Sequence, residues 1–459
     1  MLILSTMKLS TAIYSAPRSK INPAIITVLS RVPRVKHYSN LSIYRRSHSC
    51  DIDAEPLHRY QPGGYHPILL GDLFKNQRYR VIQKLGWGSY STTWVARDQL
   101  HSRNVALKVS VSERSSNDEA HILNAISKLS EDNPGRNHPG RHHLVQMLDH
   151  FTVDGPNGTH HCLVLELLGP SVPDVLEFHY RDNRLPAGVA KSAAYQALLG
   201  VDFLSSHKIG HGDIHSRNIA FALPDLALAS LDESQFFEKF GQPETAPVCS
   251  VEGIALTAHL PNYIVRPISF RGRKMREALR TSPIKIIDFG EAFFESQSAV
   301  AVHTPLAVRA PEAIFDDRID YRIDTWSTGC LLFELVAGQP PFDTVMITRD
   351  VLVSQMMEFC DDELPDRWRE KLFALGTRST VSISEEDEQD EPCTLLEWLE
   401  EIYFDENKKL LEFTRQDIAK VCELVTRMLK FEPSSRASAK EIMNDLWFGG
   451  LKLPGTIDN

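Results

Sequence analysis

Three short segments of the sequence contain the residue types that phosphoryl transfer from a nucleotide requires. A segment reading HGDIHSRN contains Asp213 and, five residues later, Asn218. Asp288 begins an Asp-Phe-Gly turn, and Lys108 is a single lysine between apolar neighbours. Phosphoryl transfer needs a cation on the phosphates, oxygen ligands for Mg²⁺ and a carboxylate near the attacking hydroxyl. These residues could supply each of those groups.

The type and spacing of each residue predict its role. Asp213 is expected to orient the substrate hydroxyl or accept its proton, while Asn218 and Asp288 bind the metal. Lys108 is expected to hold the α- and β-phosphates, with Glu119 on the following helix as its ion-pair partner, because a lysine in a buried strand needs one. The predicted cofactors are ATP and Mg²⁺. The predicted catalytic residues are Asp213, His215, Lys108 and Asn218.

A glycine-rich segment, LGWGSYSTTWV from Leu85 to Val95, precedes the lysine. Gly86 and Gly88 would let the backbone approach phosphate oxygens without a Cβ in the way. Ser91 stands where a GxGxxG pattern has its third glycine, and the segment taken alone is more typical of a plain hairpin turn. The residues predicted to bind ATP are Leu85, Gly86, Trp87, Gly88, Ser89, Tyr90, Ser91, Thr92, Thr93, Ala106, Lys108, Glu119, Glu166 and Leu168.

Later segments complete a known order of motifs. An RAPE segment follows the Asp-Phe-Gly turn, and then come a DTWSTG segment beginning at Asp324 and the arginine of FEPSSR, Arg436. Arg309, Pro311 and Glu312 are predicted to form a platform for a protein substrate. Any one of these motifs occurs by chance, but six of them in this order do not. The sequence therefore predicts a protein-kinase fold.

The elements that must position these residues can be read from the hydrophobic pattern. Five apolar β-type segments between Tyr79 and Leu167, with one helix near 116–129, predict a small sheet-rich lobe. After Pro186 the apolar spacing is helical. We therefore predict an α+β bilobal fold with a five-stranded antiparallel N-lobe sheet, one N-lobe helix and a mainly α-helical C-lobe. The predicted divisions are an extension (1–59), an N-lobe (60–168), a C-lobe (169–450) with an insert (222–283), and a tail (451–459).

Composition excludes several classes of protein. The net charge of -10 argues against a nucleic-acid or anionic-membrane binder, which needs a cationic surface. The seven cysteines form no CxxC pair, so neither a zinc site nor a disulfide framework is indicated. No run approaches the roughly 18 apolar residues of a membrane span. We expect a monomer that acts on protein substrates and binds neither nucleic acid nor membranes directly.

The first 50 residues contain no aspartate or glutamate, although they contain arginines, lysines and many hydroxyl residues. That composition is typical of a mitochondrial transit peptide, and equally of a disordered basic tail. The sequence leaves both interpretations open.

Several segments resemble the SR-protein kinases of the CMGC group, in their fungal-type branch. The resemblance covers about residues 60 to 450, and the GWGxxSTxW pattern from Gly86 to Trp94 is its most specific part. The other segments are Tyr65-His-Pro-Ile, Gly71-Asp-Leu-Phe, Gly155-Pro-Asn-Gly-Thr-His, Glu166-Leu-Leu-Gly169 and Arg309 before Ala-Pro-Glu. The resemblance implies a non-specific serine/threonine protein kinase of the cytoplasm and nucleus that modifies Arg/Ser-rich proteins of mRNA splicing.

The same resemblance implies an acidic groove that docks the basic substrate. Candidates for it are Asp361, Asp362, Glu363 and Asp366, which fit an ordinary solvated helix end at least as well. The substrate therefore follows from the resemblance and not from the residues themselves.

The chain departs from the family pattern in three places. Its insert is short and moderately apolar, so that it could pack on the kinase body. Gly212 replaces the arginine that many kinases use to bind a phosphorylated activation loop, so we expect activity without such phosphorylation. His215 replaces the catalytic-loop lysine, which exchanges a permanent charge for an imidazole that is charged only when protonated.

Two alternatives to an active protein kinase follow from these departures. His215 would suit an inactive pseudokinase scaffold, although the metal ligands, the base and the ATP lysine are retained. The HGDIHxxN segment also resembles the catalytic loop of small-molecule phosphotransferases such as aminoglycoside and choline kinases. Those enzymes lack the Ala-Pro-Glu platform, which this sequence contains at Ala310–Glu312.

Overall fold

The computed structural model describes residues 48–113, 118–131, 138–180, 183–223, 227–251, 253, 255–297, 302–342, 348–374, 393–404 and 411–451. The acid-free segment before residue 48 and nearly all of the predicted tail lie outside the described residues. Predictions about those two segments therefore stay predictions.

The first half of the chain forms an antiparallel sheet with one long helix, α1 (Asp118–Glu131). The sheet has six strands in the order β2-β3-β4-β5-β7-β6. The strands of this half are β1 (His48–Ser49), β2 (Leu73–Phe74), β3 (Tyr79–Gly88), β4 (Ser91–Asp98), β5 (Arg103–Ser110), β6 (Met147–Gly155) and β7 (Gly158–Glu166).

The predicted α+β bilobal fold is confirmed, but the prediction of five sheet strands was wrong by one. The additional strand, β2, is two residues long and pairs with the start of β3. Two residues are too few to show the alternation of apolar and polar residues that identifies a strand. Its turn is also unusual, because Lys75, Asn76 and Gln77 all have positive φ although none is glycine.

The two faces of the sheet have different neighbours. Residues paired across strands share a face, so Val95, Ala106 and Leu165 form one row and Thr93, Lys108 and Leu163 form the next. Val95, Ala106, Leu163 and Leu165 belong to the main core, which continues into the helical lobe. Residues of the opposite face, such as Trp94, Leu107 and Val164, form a second core together with Ile68, Phe74 and Val265.

The second half is mainly helical. Its helices are α2 (Val172–His179), α3 (Ala187–Ser206), α4 (Glu233–Phe240), α5 (Arg273–Leu279), α6 (Pro311–Ile314), α7 (Ile323–Ala337), α8 (Arg349–Phe359), α9 (Asp366–Ala374), α10 (Leu395–Tyr403), α11 (Arg415–Met428) and α12 (Ala439–Met443). Its short strands are β8 (Ile209–Gly210), β9 (Ile219–Phe221), β10 (Thr245–Pro247), β11 (Cys249–Ser250), β12 (Tyr263–Val265), β13 (Ile284–Ile286) and β14 (Phe293–Phe294).

Local sequence explains where several of these helices begin and end. Thr394, Thr414 and Ser438 each form a capping box with an acidic residue three positions later, so α10, α11 and α12 begin there. Gly338, at φ 84, ends α7 in the left-handed conformation. Helix α7 is apolar on nearly every side and is buried between α3 and α11.

The insert leaves the C-lobe after β9 and packs against the N-lobe. Asn104 of β5 donates from its amide nitrogen to the carbonyls of Leu228 and Leu231, at 3.0 and 2.8 Å. The Ile268 N–H donates to the carbonyl of Lys84 at 2.9 Å. Strand β11 also pairs with β1, about 200 residues earlier in the chain. The insert and the N-terminal segment therefore cover the outer side of the N-lobe together.

No helix among the described residues is long and apolar enough to cross a membrane.

Candidate active site

The predicted catalytic loop lies between β8 and β9, and a buried carboxylate of α7 holds its start. Asp324 accepts hydrogen bonds from the backbone N–H groups of His211 and Gly212, at 2.5 and 2.9 Å. Burial raises the pKa of Asp324 to about 7, although the two N–H donors act in the opposite direction. The aspartate of the DTWSTG segment thus positions the loop from beneath.

His211 joins the catalytic loop to the Asp-Phe-Gly segment. Its Nε2 lies 3.1 Å from the carbonyl oxygen of Ile287, and its Nδ1 accepts from the N–H of Asp213 at 3.2 Å. A carbonyl needs a donor and an N–H needs an acceptor, so the ring is the neutral tautomer with its proton on Nε2. Burial lowers the pKa of His211 to about 4, which keeps the ring in this form.

Asp213, His215 and Asn218 form one hydrogen-bonded group. Asn218 Nδ2 donates to the carbonyl oxygen and to Oδ2 of Asp213, at 2.8 and 3.1 Å. His215 Nδ1 accepts from the Arg217 N–H at 3.2 Å, and its Nε2 lies 3.2 Å from Asn218 Nδ2 and 3.4 Å from Asp213 Oδ2. The other carboxylate oxygen, Asp213 Oδ1, is buried and has no hydrogen-bond partner among the described residues. That oxygen is the one left to accept a proton.

Lys108 lies between two carboxylates, one from each lobe. Its Nζ is 2.8 Å from both carboxylate oxygens of Glu119 on α1 and 2.8 Å from Oδ1 of Asp288. Burial alone would lower the pKa of Lys108, but the charges of Asp288 and Glu119 raise it above its usual value. The loss of water around the Asp288 carboxylate in the cleft would raise its pKa, but the charge of Lys108 and its hydrogen bond lower that pKa. Lys108 and Asp288 are therefore both charged at neutral pH.

The glycine-rich segment forms the turn between β3 and β4, which we call the glycine-rich turn (residues 86–91). A Cβ built on Gly86 or Gly88 would meet no atom within 4 Å, so protein packing does not require glycine at either position. Trp87 and Tyr90 are 44% and 43% exposed. The turn thus leaves open space on the side where phosphates would have to lie.

Some of the remaining residues predicted to bind ATP lie toward the main core, whereas Thr92 and Glu166 have other contacts. Ala106 and Thr93 share the sheet face of Lys108, and Leu85 and Leu168 pack against the main core. Thr92 lies on the opposite face, where its hydroxyl accepts from the Trp94 indole at 3.0 Å. The Glu166 carboxylate accepts from Lys285 at 2.6 Å and from the Gln146 N–H at 2.7 Å. The Glu166 N–H in turn donates to the Gln146 carbonyl at 3.0 Å, so Glu166 ties β7 to the segment before β6.

The predicted substrate platform is fixed by two sets of contacts. Arg309 donates from Nε and Nη2 to the carbonyl of Thr304, at 2.8 and 2.6 Å. Glu312 and Arg436 form a two-hydrogen-bond ion pair, at 2.5 and 2.7 Å, in the interior of the C-lobe. Pro311 is the first residue of α6 and is buried, so it holds the start of that helix.

Gly212 has a structural reason to be glycine. Its φ is +77, and a Cβ there would lie 2.7 Å from the carbonyl oxygen of Glu291 and 3.2 Å from Val302. The Thr304 hydroxyl donates to the Gly212 carbonyl at 2.5 Å. The activation segment therefore packs directly on the position where many kinases have an arginine for a phosphate.

The residues present fit ATP and Mg²⁺. Magnesium prefers oxygen ligands and retains several waters, so two protein groups suffice. Asp288 has a side chain 47% exposed beside Lys108, and the Asn218 amide nitrogen faces Asp213, which leaves its oxygen for a metal. The Ile287 N–H donates to the Asn218 carbonyl at 2.9 Å, which holds the two segments side by side.

The protein kinase domain family matches residues 79–236 and 274–448 of the chain. The match covers both lobes and every motif described above, and its gap falls within the insert. The chain therefore belongs to the protein kinase family.

Its relatives specify which protein kinases it resembles. Serine/threonine-protein kinase SRPK of Physarum polycephalum is 28% identical over 410 residues, which are 85% of this chain and 90% of that protein. Protein kinase dsk1 of Schizosaccharomyces pombe is 26% identical over 479 residues, 86% of this chain and 85% of that protein. Human SRSF protein kinase 3 is 37% identical over 202 residues, 42% of this chain and 34% of that protein. The predicted membership of the SR-protein kinase family is confirmed, and the chain is a serine/threonine protein kinase.

Sequence reasoning missed several residues that support the site. Thr304 and the Lys285–Glu166 pair had no motif to mark them. Arg59 and Tyr65 contact the glycine-rich turn from outside the kinase motifs. Tyr65 ends the turn-rich segment YQPGGY (Tyr60–Tyr65) and begins the Tyr65-His-Pro-Ile segment of the family resemblance, so the sequence contained two signals there.

Proposed function

We propose that this chain transfers the γ-phosphate of ATP, with Mg²⁺, to serine hydroxyls of Arg/Ser-rich proteins involved in mRNA splicing. The observation that carries the proposal is the buried Oδ1 of Asp213, which no donor of the described residues reaches, in a loop tied to the Lys108–Asp288 pair. A buried oxygen without a donor is costly unless a substrate proton satisfies it.

The chain's own residues account for the proton and for the orientation of the reactants. The serine hydroxyl donates its proton to Asp213 as its oxygen bonds to the γ-phosphorus, and ADP leaves with the bridging oxygen. Asn218 keeps the Asp213 carboxylate oriented through its two hydrogen bonds. Lys108 holds the α- and β-phosphates, and Glu119 keeps its ammonium in place. Mg²⁺, held by Asn218 and Asp288, would offset phosphate charge.

A basic substrate is supported by the name of the human relative, SRSF protein kinase 3, and by exposed carboxylates after α8. Glu363 and Asp366 have side chains 89% and 92% exposed, and both pair with Arg369. A substrate arginine could exchange with Arg369 at these carboxylates, since exposed ion pairs are weak.

The other two candidates for the docking groove are less available. Asp361 pairs with Lys430, and Asp362 accepts from the Phe431 N–H at 2.9 Å with its second oxygen buried. Asp362 therefore supports the fold of the loop. We assign docking to Glu363 and Asp366.

Phosphorylation of an Arg/Ser peptide by the purified chain with radiolabelled ATP tests the proposal. We expect incorporation into serine that is lost in Asp213→Ala, and weaker incorporation when lysines replace the peptide's arginines. No incorporation by a folded, ATP-binding protein would favour the pseudokinase scaffold, which His215 keeps open. Transfer to small amines or sugars instead of the peptide would favour a small-molecule phosphotransferase.

The docking assignment has its own test. Glu363→Gln with Asp366→Asn should raise the KM for the Arg/Ser peptide severalfold without changing the KM for ATP, because only peptide contacts are removed. A matched control is Glu238→Gln with Glu401→Gln, which removes two exposed carboxylates elsewhere. An equal rise in both double variants would indicate a general charge effect and exclude docking at Glu363 and Asp366.

A further inference from the structure

Three consecutive carbonyls at the tip of the glycine-rich turn are held by residues outside it. The Tyr65 hydroxyl donates to the Gly88 carbonyl at 2.7 Å, and Arg59 Nη2 donates to the Ser89 carbonyl at 2.9 Å. The Tyr90 carbonyl accepts from the Val111 N–H at 2.8 Å. Arg59 and Tyr65 both precede the region that the kinase domain family matches.

These contacts orient the backbone N–H groups of the turn. The chain contains no cis peptide among its described residues, and in a trans peptide the carbonyl and the next N–H point in opposite directions. Fixing the carbonyls of Gly88 and Ser89 therefore fixes the N–H groups of Ser89 and Tyr90 on the opposite side. The turn contains two glycines whose missing Cβ atoms leave open space beside its backbone, and backbone N–H groups held in a fixed orientation are suited to binding phosphate oxygens.

The segment that provides these contacts, residues 55–65, is itself firmly positioned, and we call it the N-terminal brace. Gly63 has φ +90, and a Cβ on Gly64 would lie 1.8 Å from the carbonyl oxygen of Arg59. The Tyr65 N–H donates to that same carbonyl at 3.0 Å. Both glycines of the YQPGGY segment are thus needed to bring Arg59 and Tyr65 together.

Two ion pairs attach the N-terminal brace to the sheet on either side of the turn. Glu55 pairs with Lys84 of β3, and both side chains are almost completely buried. Glu55 also accepts from the hydroxyl of Tyr60. Arg59 pairs with Glu113, just beyond β5, at 2.9 Å. The brace is therefore attached beside the strand that leads into the turn.

We propose that Arg59 and Tyr65 are positioning residues for phosphoryl transfer: they hold the glycine-rich turn so that its N–H groups bind the phosphates of ATP. Without them the turn would have to lose its conformational freedom when the nucleotide binds, which weakens binding. The effect should fall on the phosphates and leave the nucleoside part unaffected. The inference rests on the proposed ATP binding.

Direct binding measurements on the full chain test the proposal. Dissociation constants for ATP, ADP and adenosine are measured for wild type, Tyr65→Phe, Arg59→Ala and the double variant. We expect each single variant to lower the affinity for ATP and ADP about two- to tenfold, which is the effect of losing one hydrogen bond. The affinity for adenosine should stay unchanged. Arg59→Lys should restore part of the ATP affinity, because it keeps a cationic donor near the Ser89 carbonyl.

The matched control is Lys75→Ala, which removes an exposed N-lobe ion pair with Asp149 that does not touch the turn. Its affinities should equal those of wild type. Amide hydrogen exchange at Val111, whose N–H donates to the Tyr90 carbonyl, should become faster in the double variant and stay unchanged in the control.

Two results would overturn the inference. One is unchanged ATP affinity in a folded double variant. The other is an equal loss for adenosine and ATP, which would mean that the two residues only stabilise the lobe. If the wild-type protein itself binds no ATP, the proposed function is wrong. That outcome differs from the two above, which refute only the role of Arg59 and Tyr65.

Discussion

The ammonium of Lys108 lies 2.8 Å from the Asp288 carboxylate and so joins a strand of the N-lobe to the Asp-Phe-Gly segment of the C-lobe. Lys108→Met should reduce phosphoryl transfer at least about a hundredfold, because it removes the cation that holds the phosphates. Initial rates with saturating peptide measure the loss, and thermal unfolding checks that the variant is folded. Full activity in a folded Lys108→Met protein would refute the assignment of this residue.

The ion pair of Glu312 and Arg436 is a second contact with a measurable consequence. Both side chains are at most 2% exposed, so Glu312→Gln should lower the free energy of unfolding by about 3–5 kcal/mol. Urea denaturation measures the difference. Glu423→Gln, which breaks the exposed pair with Lys420, serves as the control and should lower the free energy of unfolding far less. A similar loss of unfolding free energy in both variants would show that burial of an ion pair does not set its contribution to stability.

The buried imidazole of His66 should contribute to the pH dependence of stability, as should that of His211. Burial and the neighbouring His160 lower the pKa of His66 to about 4, below the roughly 6.5 of an unfolded chain. The stability that depends on the neutral His66 ring is therefore fully present above pH 6.5. It is lost as the pH falls from 6.5 toward 4. His66→Phe should reduce the slope of unfolding free energy against pH between 6.5 and 5.

Urea denaturation at several pH values measures that slope. His142→Phe, which replaces an exposed histidine, is the control and should keep the wild-type slope. An unchanged slope in His66→Phe would contradict the prediction.

Different substitutions can separate the contact of His215 with the Arg217 N–H from its contact with Asp213. Its ring accepts from the Arg217 N–H, as an N-cap of the short helical turn before Ile219, and faces Asp213. His215→Asn can keep the cap but is too short to reach Asp213, so kcat should fall about tenfold or more. His215→Lys should raise kcat, because it places a permanent cation near the transferred phosphate. Equal kcat values for histidine, lysine and asparagine would show that this residue only packs.

The basic first segment allows a test of location. From the family resemblance we expect a fusion of residues 1–60 to a fluorescent protein to stay in the cytoplasm and nucleus. Microscopy with a mitochondrial marker measures this. Co-localisation with that marker would instead establish the acid-free segment as a transit peptide.

The motifs predicted the class of fold because they combine rare residue types in a set order. The prediction that Glu119 pairs with Lys108 also anticipated neighbours in space, since a buried lysine requires a carboxylate. The contact between Lys108 and Asp288 was not predicted. Strand β2 was missed because two residues are too few to show the alternation of apolar and polar residues that identifies a strand. Thr92 was assigned to the nucleotide although pairing places it on the opposite sheet face, because strand register is not visible in a motif.

The sequence by itself determined the inventory of reactive groups, because side-chain chemistry and motif spacing are local properties. Only the tertiary structure decided which of Asp213's oxygens is free, where the insert packs, and that Arg59 and Tyr65 contact a turn some 25 residues later. Such contacts depend on how distant segments fold against one another. Packing and hydrogen-bond geometry select them among many combinations that the same residues could form.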